Sequence, residues 1–333
     1  MTTNDARWMD YALRLGRRAL GTTLENPNVG CVIVSDDRVV GVGWTRPGGR
    51  PHAETEALHM AGQEARGATA YVTLEPCAHH GRTPPCAEAL ASAGIARVVT
   101  ALEDPDPRVS GGGHAILRAA GLQVVTGLRE EAARRDMAGF LTRITKKRPY
   151  VILKLAVSAD NKIAAGMGQR TAISGPEAKA RVHLLRAQCD AILVGMGTVL
   201  ADDPELTCRL PGLEGRSPKP FVLSRKRDLP SNSNLGRSGA EVLRGSPADV
   251  AFEFGRRGIN RLMVEGGAQV ARSFLEAGLV DEFHVIRAAA TLGPAGVDAL
   301  AGLAMDQALL PFGVREQEKL GSDVLTVYEA RTN

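Results

Sequence analysis

Apolar and polar positions change period repeatedly along the chain, and each change marks an element. Met9, Ala12, Leu13, Gly16, Ala19 and Leu20 share one helical face, which predicts an amphipathic helix over 8–20. Two β-branched runs follow, 29–34 and 38–43, flanking the polar turn at Ser35, Asp36 and Asp37, the pattern of a hairpin. Next come a helix over about 53–61, a strand over 68–74, a helix over 86–93 stopped by Gly94, and a strand over 97–102. Beyond the glycines at 111 to 113 lie another helix and strand, then a charged helix reaching about Leu141. Strands alternating with helices imply an α/β layer.

The basic stretch Lys146, Lys147, Arg148, Pro149 breaks this pattern, and we divide the chain there into domains 1–146 and 147–333. A strand over 150–157 restarts the alternation, and Ser174 and Glu177 have capping-box spacing at the start of a helix. Two strand-turn-helix units carry glycine at the turn, Gly195-Met196-Gly197-Thr198 and Glu265-Gly266-Gly267. Such turns admit phosphate to backbone N–H groups, but neither is the GxGxxG of a dinucleotide fold. The segment 211–245, rich in Gly, Pro, Ser and charge, shows no period that places its elements.

Composition narrows the class. A chain of 333 residues exceeds one ordinary hydrophobic core, so two domains are expected. Its 44% hydrophobic and 23% charged residues suit a globular protein. The net charge of +4 is too small for a nucleic-acid track or a polybasic anchor, so neither nucleic acid nor membrane is the expected partner, while anionic small ligands remain compatible. The polar first ten residues lack a signal-peptide core and no apolar run reaches membrane-spanning length, which points to the cytoplasm. Five scattered cysteines, Cys31, Cys77, Cys86, Cys189 and Cys208, argue against a disulfide framework and for packing or metal.

Three of the predicted element ends carry the chemistry: His52-Ala53-Glu54 opens a helix, Pro76-Cys77 ends a strand, and Cys86 opens the next helix. One imidazole and two thiolates suit zinc, and three protein ligands leave a fourth tetrahedral position for water, which ionises near neutral pH on the metal. Glu54 is placed to move protons without binding the metal. This is the His-x-Glu and Pro-Cys signature of zinc nucleobase deaminases, except that eight residues rather than two separate the cysteines. A closed structural zinc site with His59, His79 or His80 as fourth ligand is the blander alternative, and unrelated core cysteines the blandest.

The runs Asn26-Pro27-Asn28-Val29-Gly30-Cys31, Pro51-His52-Ala53-Glu54 and Glu75-Pro76-Cys77-Ala78-His79-His80-Gly81-Arg82-Thr83-Pro84-Pro85-Cys86 resemble the bifunctional deaminase/reductase family of riboflavin biosynthesis, whose own form includes the long insertion. The second half carries further matches at Lys154-Leu155, Leu184-Leu185-Arg186-Ala187-Gln188, the run from Thr198 to Pro204, and Val264-Glu265-Gly266-Gly267. The resemblance implies an N-terminal cytidine-deaminase-like three-layer α/β domain and a C-terminal dihydrofolate-reductase-like α/β domain. It implies a zinc-dependent deamination of a phosphoribosylated diaminopyrimidine, then an NADPH-dependent reduction of its ribosyl group to ribityl, by an expected homo-oligomer.

Carried over by the same resemblance, Asn26, Asn28, His79 and Arg82 would meet the deaminase substrate. Lys154, Arg170, Arg186, Leu206, Arg209 and Glu265 would meet the reductase substrate, and Ala156, Ala172, Thr198, Asp202 and Gly267 the NADPH. Without the family, Asn-Pro-Asn reads as a turn, Arg186 as a solvated charge, and Asp202-Asp203-Pro204 as a helix stop. The glycines at 111 to 113 read either as a phosphate-accepting loop or as a surface turn. The second half departs from the family at Asp160-Asn161, where Asp-Gly is usual, at Ser224, where Asp is usual, and before Leu292-Gly293, where a Pro-Lys pair is missing. It is also short. These departures leave open a deaminase with an impaired reductase, and the zinc chemistry by itself leaves open a tRNA or polynucleotide deaminase.

Overall fold

The computed structural model describes residues 3–80, 84–107, 109–169 and 171–331. The chain divides between Lys147 and Arg148 into two units, each with its own buried apolar cluster.

The first unit contains α1 (Thr3–Arg17), β1 (Gly30–Ser35), β2 (Arg38–Trp44), α2 (Ala53–Ala61), β3 (Thr69–Val72), α3 (Cys86–Ser92), β4 (Arg97–Thr100), α4 (Gly112–Ala119), β5 (Gln123–Val125), α5 (Glu130–Asp136) and α6 (Ala138–Lys146). Its sheet has the order β2-β1-β3-β4-β5, with β1 antiparallel to both neighbours and β3, β4 and β5 parallel. Across the hairpin Cys31 opposes Gly43 and Ile33 opposes Gly41. A methyl group at Gly43 or Gly41 would strike the Ala53 or Ala57 carbonyl oxygen of α2 at 2.1 or 2.2 Å. On the other face, a methyl at Gly30 would meet the Ala12 oxygen of α1 at 1.9 Å. Helices therefore lie on both faces, in three layers.

The second unit contains β6 (Tyr150–Val157), β7 (Lys162–Ala164), α7 (Pro176–Ala187), β8 (Ala191–Gly195), α8 (Met196–Asp202), β9 (Lys219–Leu223), α9 (Asn234–Arg237), β10 (Glu241–Leu243), α10 (Pro247–Arg256), β11 (Arg261–Val264), α11 (Ala268–Glu276), β12 (Glu282–Arg287), β13 (Val297–Asp298), α12 (Met305–Leu309), β14 (Phe312–Leu320) and β15 (Asp323–Ala330). The eight-stranded sheet runs β10-β9-β8-β11-β6-β12-β15-β14, parallel as far as β12 and antiparallel beyond it. Val264, the last residue of β11, pairs with both Leu153 of β6 and Leu193 of β8, so Lys154 within β6 and Glu265 just beyond β11 come side by side toward the carboxyl edge of the sheet. That edge is where open α/β sheets bind ligands.

Local details correct the sequence reading. The first helix spans Thr3–Arg17 rather than 8–20. The charged helix before the boundary is two helices, broken at Met137 with φ −101. The Ser174 capping box does not form: Gly175 is the N-cap of α7, and its N–H donates instead to Asp323 Oδ2 at 2.7 Å. A complete capping box does open α10, where Ser246 and Asp249 bond each other's backbone N–H, a Ser-x-x-Asp spacing visible in the sequence.

Candidate active site

His52 is the N-cap of α2 with an extended backbone, Cys77 follows the end of β3, and Cys86 begins α3. Their ligand atoms all lie within 4.8 Å of one another. His52 Nδ1 is 3.7 Å from Cys77 Sγ and 3.4 Å from Cys86 Sγ, so Nδ1 is the nitrogen turned to the metal position. Cys77 Sγ also accepts the Cys86 backbone N–H at 3.2 Å, a contact at the start of α3 that favours thiolate. The contact with Cys86 draws the Cys77 thiol down to about 4, and the same contact with Cys77 raises the Cys86 thiol far above its usual value. An imidazole and two sulfurs, one of them already favouring its anionic form, match zinc. Among the described residues His59, His79 and His80 are outside this group; His59 and His79 are exposed, and His80 pairs with Glu88 at 3.1 Å.

Glu54 sits one residue into α2 beyond Ala53 and is 4% exposed. Burial pushes its carboxyl up to about 7, partly offset by the nearby His52. A carboxyl at that value gives and takes protons near neutral pH.

Glu75, quoted in the ligand motif but given no role there, organises the strand end. Its side chain is 0% exposed. Oε2 accepts from the N–H groups of Asp104 and Gly111 at 3.1 and 3.0 Å, and Oε1 from those of Gly113 and His114 at 2.8 and 3.2 Å. The glycine turn considered above as a phosphate loop thus already holds a carboxyl group of the chain itself. Gly113 also lies against the Pro76 oxygen, where a methyl would come within 1.9 Å.

Asn28 is buried and donates to the Asp136 oxygen at 3.2 Å. Asn26 donates to the Thr23 oxygen at 3.3 Å and packs on Gly49, in the loop that leads to His52. Arg82 and Arg170 lie outside the described residues.

In the second unit the β6–β11 register and helix α7 bring Lys154, Arg186 and Glu265 together. Glu265 is within 3.4 Å of Lys154 Nζ and accepts from Arg186 Nε at 2.7 Å and Nη2 at 3.1 Å. Burial raises the Glu265 carboxyl, but the Lys154 and Arg186 charges outweigh it and hold it down at about 2. Arg186 Nη1 reaches the Thr207 oxygen at 3.0 Å, which ties in the segment carrying Leu206 and Arg209. Leu206 is buried with φ 58, and Arg209 is exposed on Glu205 at 2.9 Å. Thr198 in α8 neighbours Gly267, the N-cap of α11; a methyl on Gly267 would lie 3.3 Å from its Oγ1. Asp202 ends α8, followed by Asp203 at φ 38, so this segment is also a helix stop. Ala156 lies on β6 opposite Ile286, and Ala172 is exposed.

The departures from the family pattern are absorbed locally. Asn161 takes φ 60, a conformation Asn tolerates better than most residues in place of Gly. Asp160 accepts from Ser158 Oγ, Leu292 N and Gly293 N at 2.6, 3.0 and 2.8 Å. Ser224 closes a turn by bonding the Arg227 N–H and oxygen at 3.0 and 2.7 Å.

Residues 2–102 match the model of the cytidine and deoxycytidylate deaminase zinc-binding region, and residues 149–326 that of the RibD C-terminal domain. Among curated relatives, the riboflavin biosynthesis protein RibD of Escherichia coli is 40% identical, with 96% of this chain and 98% of that one covered. The RibD of Mycobacterium tuberculosis is 38% identical, covering 97% and 96%. Among solved structures, Acinetobacter baumannii RibD superposes with a TM-score of 0.91 at 36% identity over 98% of this chain and 99% of that one. A Thermotoga maritima structure described as a diaminohydroxyphosphoribosylaminopyrimidine deaminase/5-amino-6-(5-phosphoribosylamino)uracil reductase gives 0.89 at 34%, with the same coverage. With both halves matched over nearly full length, the chain belongs to the RibD family of bifunctional deaminase/reductase enzymes of riboflavin biosynthesis.

Proposed function

We propose that the first unit hydrolyses the ring amine of 2,5-diamino-6-(5-phosphoribosylamino)pyrimidin-4-one and that the second reduces the ribosyl group of the product to ribityl with NADPH. The observation that carries the first half is the group His52, Cys77 and Cys86 within 4.8 Å, with buried Glu54 two residues from the histidine. These three would hold zinc, which when bound supplies the Lewis acidity that makes water a nucleophile at neutral pH. Glu54 takes a proton from the attacking water and delivers protons to the departing nitrogen. The water oxygen bonds to the ring carbon, the carbon–nitrogen bond breaks, and ammonia leaves. Asn26 and Asn28 line the pyrimidine, with His79 and Arg82 toward its polar or phosphate end.

For the second half, a methyl on Gly195 or Gly266 would lie within 2.7 or 2.6 Å of Val270, so both turns draw their backbone close to α11. Thr198, Asp202, Ala156, Ala172 and the backbone at Gly267 would hold NADPH, which supplies a hydride. Lys154, Glu265 and Arg186 orient the sugar, and Arg170, Leu206 and Arg209 complete the contacts to the substrate, an arginine fork suiting its phosphate. No helix among the described residues is long and apolar enough to cross a membrane. A homo-oligomer in the cytoplasm belongs to the same reading, and sedimentation of the purified protein checks the assembly.

Purified protein given the diaminopyrimidine and NADPH should release ammonia and consume NADPH. Glu54→Gln should retain zinc and lose ammonia release by about two orders of magnitude or more. Normal deamination in that variant removes Glu54 from the proton transfer, and ammonia without NADPH oxidation in the parent protein removes the reduction.

A further inference from the structure

Two side chains of α7, His183 and Arg186, lie one helical turn apart and converge on one carbonyl oxygen. His183 Nδ1 is 3.0 Å from the Thr207 oxygen, and Arg186 Nη1 donates to that oxygen at the same distance. The Arg209 backbone N–H meets the same Nδ1 at 3.2 Å. One ring nitrogen donates to Thr207 or accepts from Arg209, not both at once. When it accepts, Arg186 still covers the Thr207 oxygen. In either state the strap 206–209 stays tied to α7.

The strap needs such a tie. Leu206 has φ 58 while its side chain is 3% exposed, a backbone conformation that a bulky residue keeps only where its surroundings impose it. Arg186 is anchored on Glu265, whereas among the described residues the Arg209 side chain bonds within the strap's own segment, to Glu205 at 2.9 Å and Thr207 Oγ1 at 3.0 Å. The place of Arg209 therefore depends on its backbone.

We propose that His183 is a positioning residue for the reduction: through Nδ1 it fixes the 206–209 strap on α7 and so sets where Arg209 meets the anionic end of the substrate. The proposal rests on the assignment of Leu206 and Arg209 to the reductase substrate.

The test uses the full-length zinc-loaded protein, with ammonia release reporting deamination and NADPH oxidation, supplied with the deaminated pyrimidine, reporting reduction. His183→Phe keeps the ring's bulk and removes its nitrogens. It should raise the KM for the deaminated pyrimidine about tenfold with kcat within about twofold, the signature of a contact expressed in binding. The retained kcat verifies that the second unit has folded, and ammonia release from the first unit should be unchanged. His183→Asn places an amide atom near the position of Nδ1 and should bring KM back to within about threefold of the parent. An unchanged KM in His183→Phe, or equal losses in the Phe and Asn variants, would overturn the proposal. Arg209→Ala run alongside separates the two layers: a raised KM upholds the Arg209 assignment whatever His183 does, and an unchanged KM removes assignment and proposal together.

Discussion

Glu75 joins the strand that delivers Cys77 to the turn that starts α4. Four backbone N–H groups from 104 to 114 converge on its two oxygens, and no part of the side chain is exposed. Replacing it by Gln preserves the shape but turns one oxygen into a donor facing two N–H groups. Buried donors left unmatched cost about 1–3 kcal/mol each. Glu75→Gln should therefore destabilise the first unit by about 2–4 kcal/mol and loosen Cys77, read as a lower melting temperature and faster zinc loss to a chelator. A variant that melts and holds zinc like the parent would show that the clamp is idle. The ligands themselves were legible because residue type and spacing at element ends carry their chemistry. Glu75 was not, because its partners are 29 to 39 positions away and are backbone groups, which leave no trace in residue type.

At the scale of elements, small residues set where α2, which carries His52 and Glu54 at its start, lies. Gly41 and Gly43 on β2 face the backbone of α2 closely enough that a Cβ would overlap the Ala57 and Ala53 oxygens. Ala53 stands between His52 and Glu54, so any retreat of α2 moves the proposed ligand and the proposed proton carrier together. Gly43→Ala should cost about 1–3 kcal/mol in stability and lower ammonia release, while reduction of the deaminated substrate stays at the parent rate. Loss of both activities, or of neither, would break that link. In the second unit Glu265, just beyond β11, ties β6 through Lys154 and α7 through Arg186. Its carboxyl is held at about 2 when folded and titrates near about 4.3 when unfolded. Its contribution, on the order of 3 kcal/mol, is thus complete above the unfolded value and lost as pH falls toward 2. Urea unfolding from pH 5 to 2 should show Glu265→Gln less pH-dependent than the parent across that window; parallel curves would mean the ion pairs contribute nothing. The hairpin of β1 and β2 was readable from two β-branched runs around a polar turn. The edge strand β10 and its neighbour β9 were not, since three and five residues buried in patches give too short a run for a period to show.

For the whole molecule, the break in pattern at the basic stretch and the restart of alternation at residue 150 were enough to expect two domains. The structure gives each unit a separate apolar cluster and divides them between Lys147 and Arg148. What no pattern could give is how far the two activities depend on one metal. The three donors fitted for zinc all lie in the first unit, on the N-terminus of α2, the segment that follows β3 and the start of α3. Zinc binds the folded arrangement and not the dispersed chain, so it stabilises the first unit in proportion to the logarithm of its concentration over its dissociation constant. The second unit draws its stability from the cluster around Phe221, Phe254, Phe274 and Phe283 and from the Glu265 ion pairs, none of which involves the three donors. Stripping zinc with a chelator should therefore abolish ammonia release and lower the melting of the first unit, while reduction of the supplied deaminated pyrimidine continues at close to the parent rate. Calorimetry should resolve the effect as one transition moving and the other staying, and re-adding zinc should return the moved transition and the ammonia release together. A parallel fall in both activities on chelation would mean that the reductase depends on the metal and that the two chemistries are not separable.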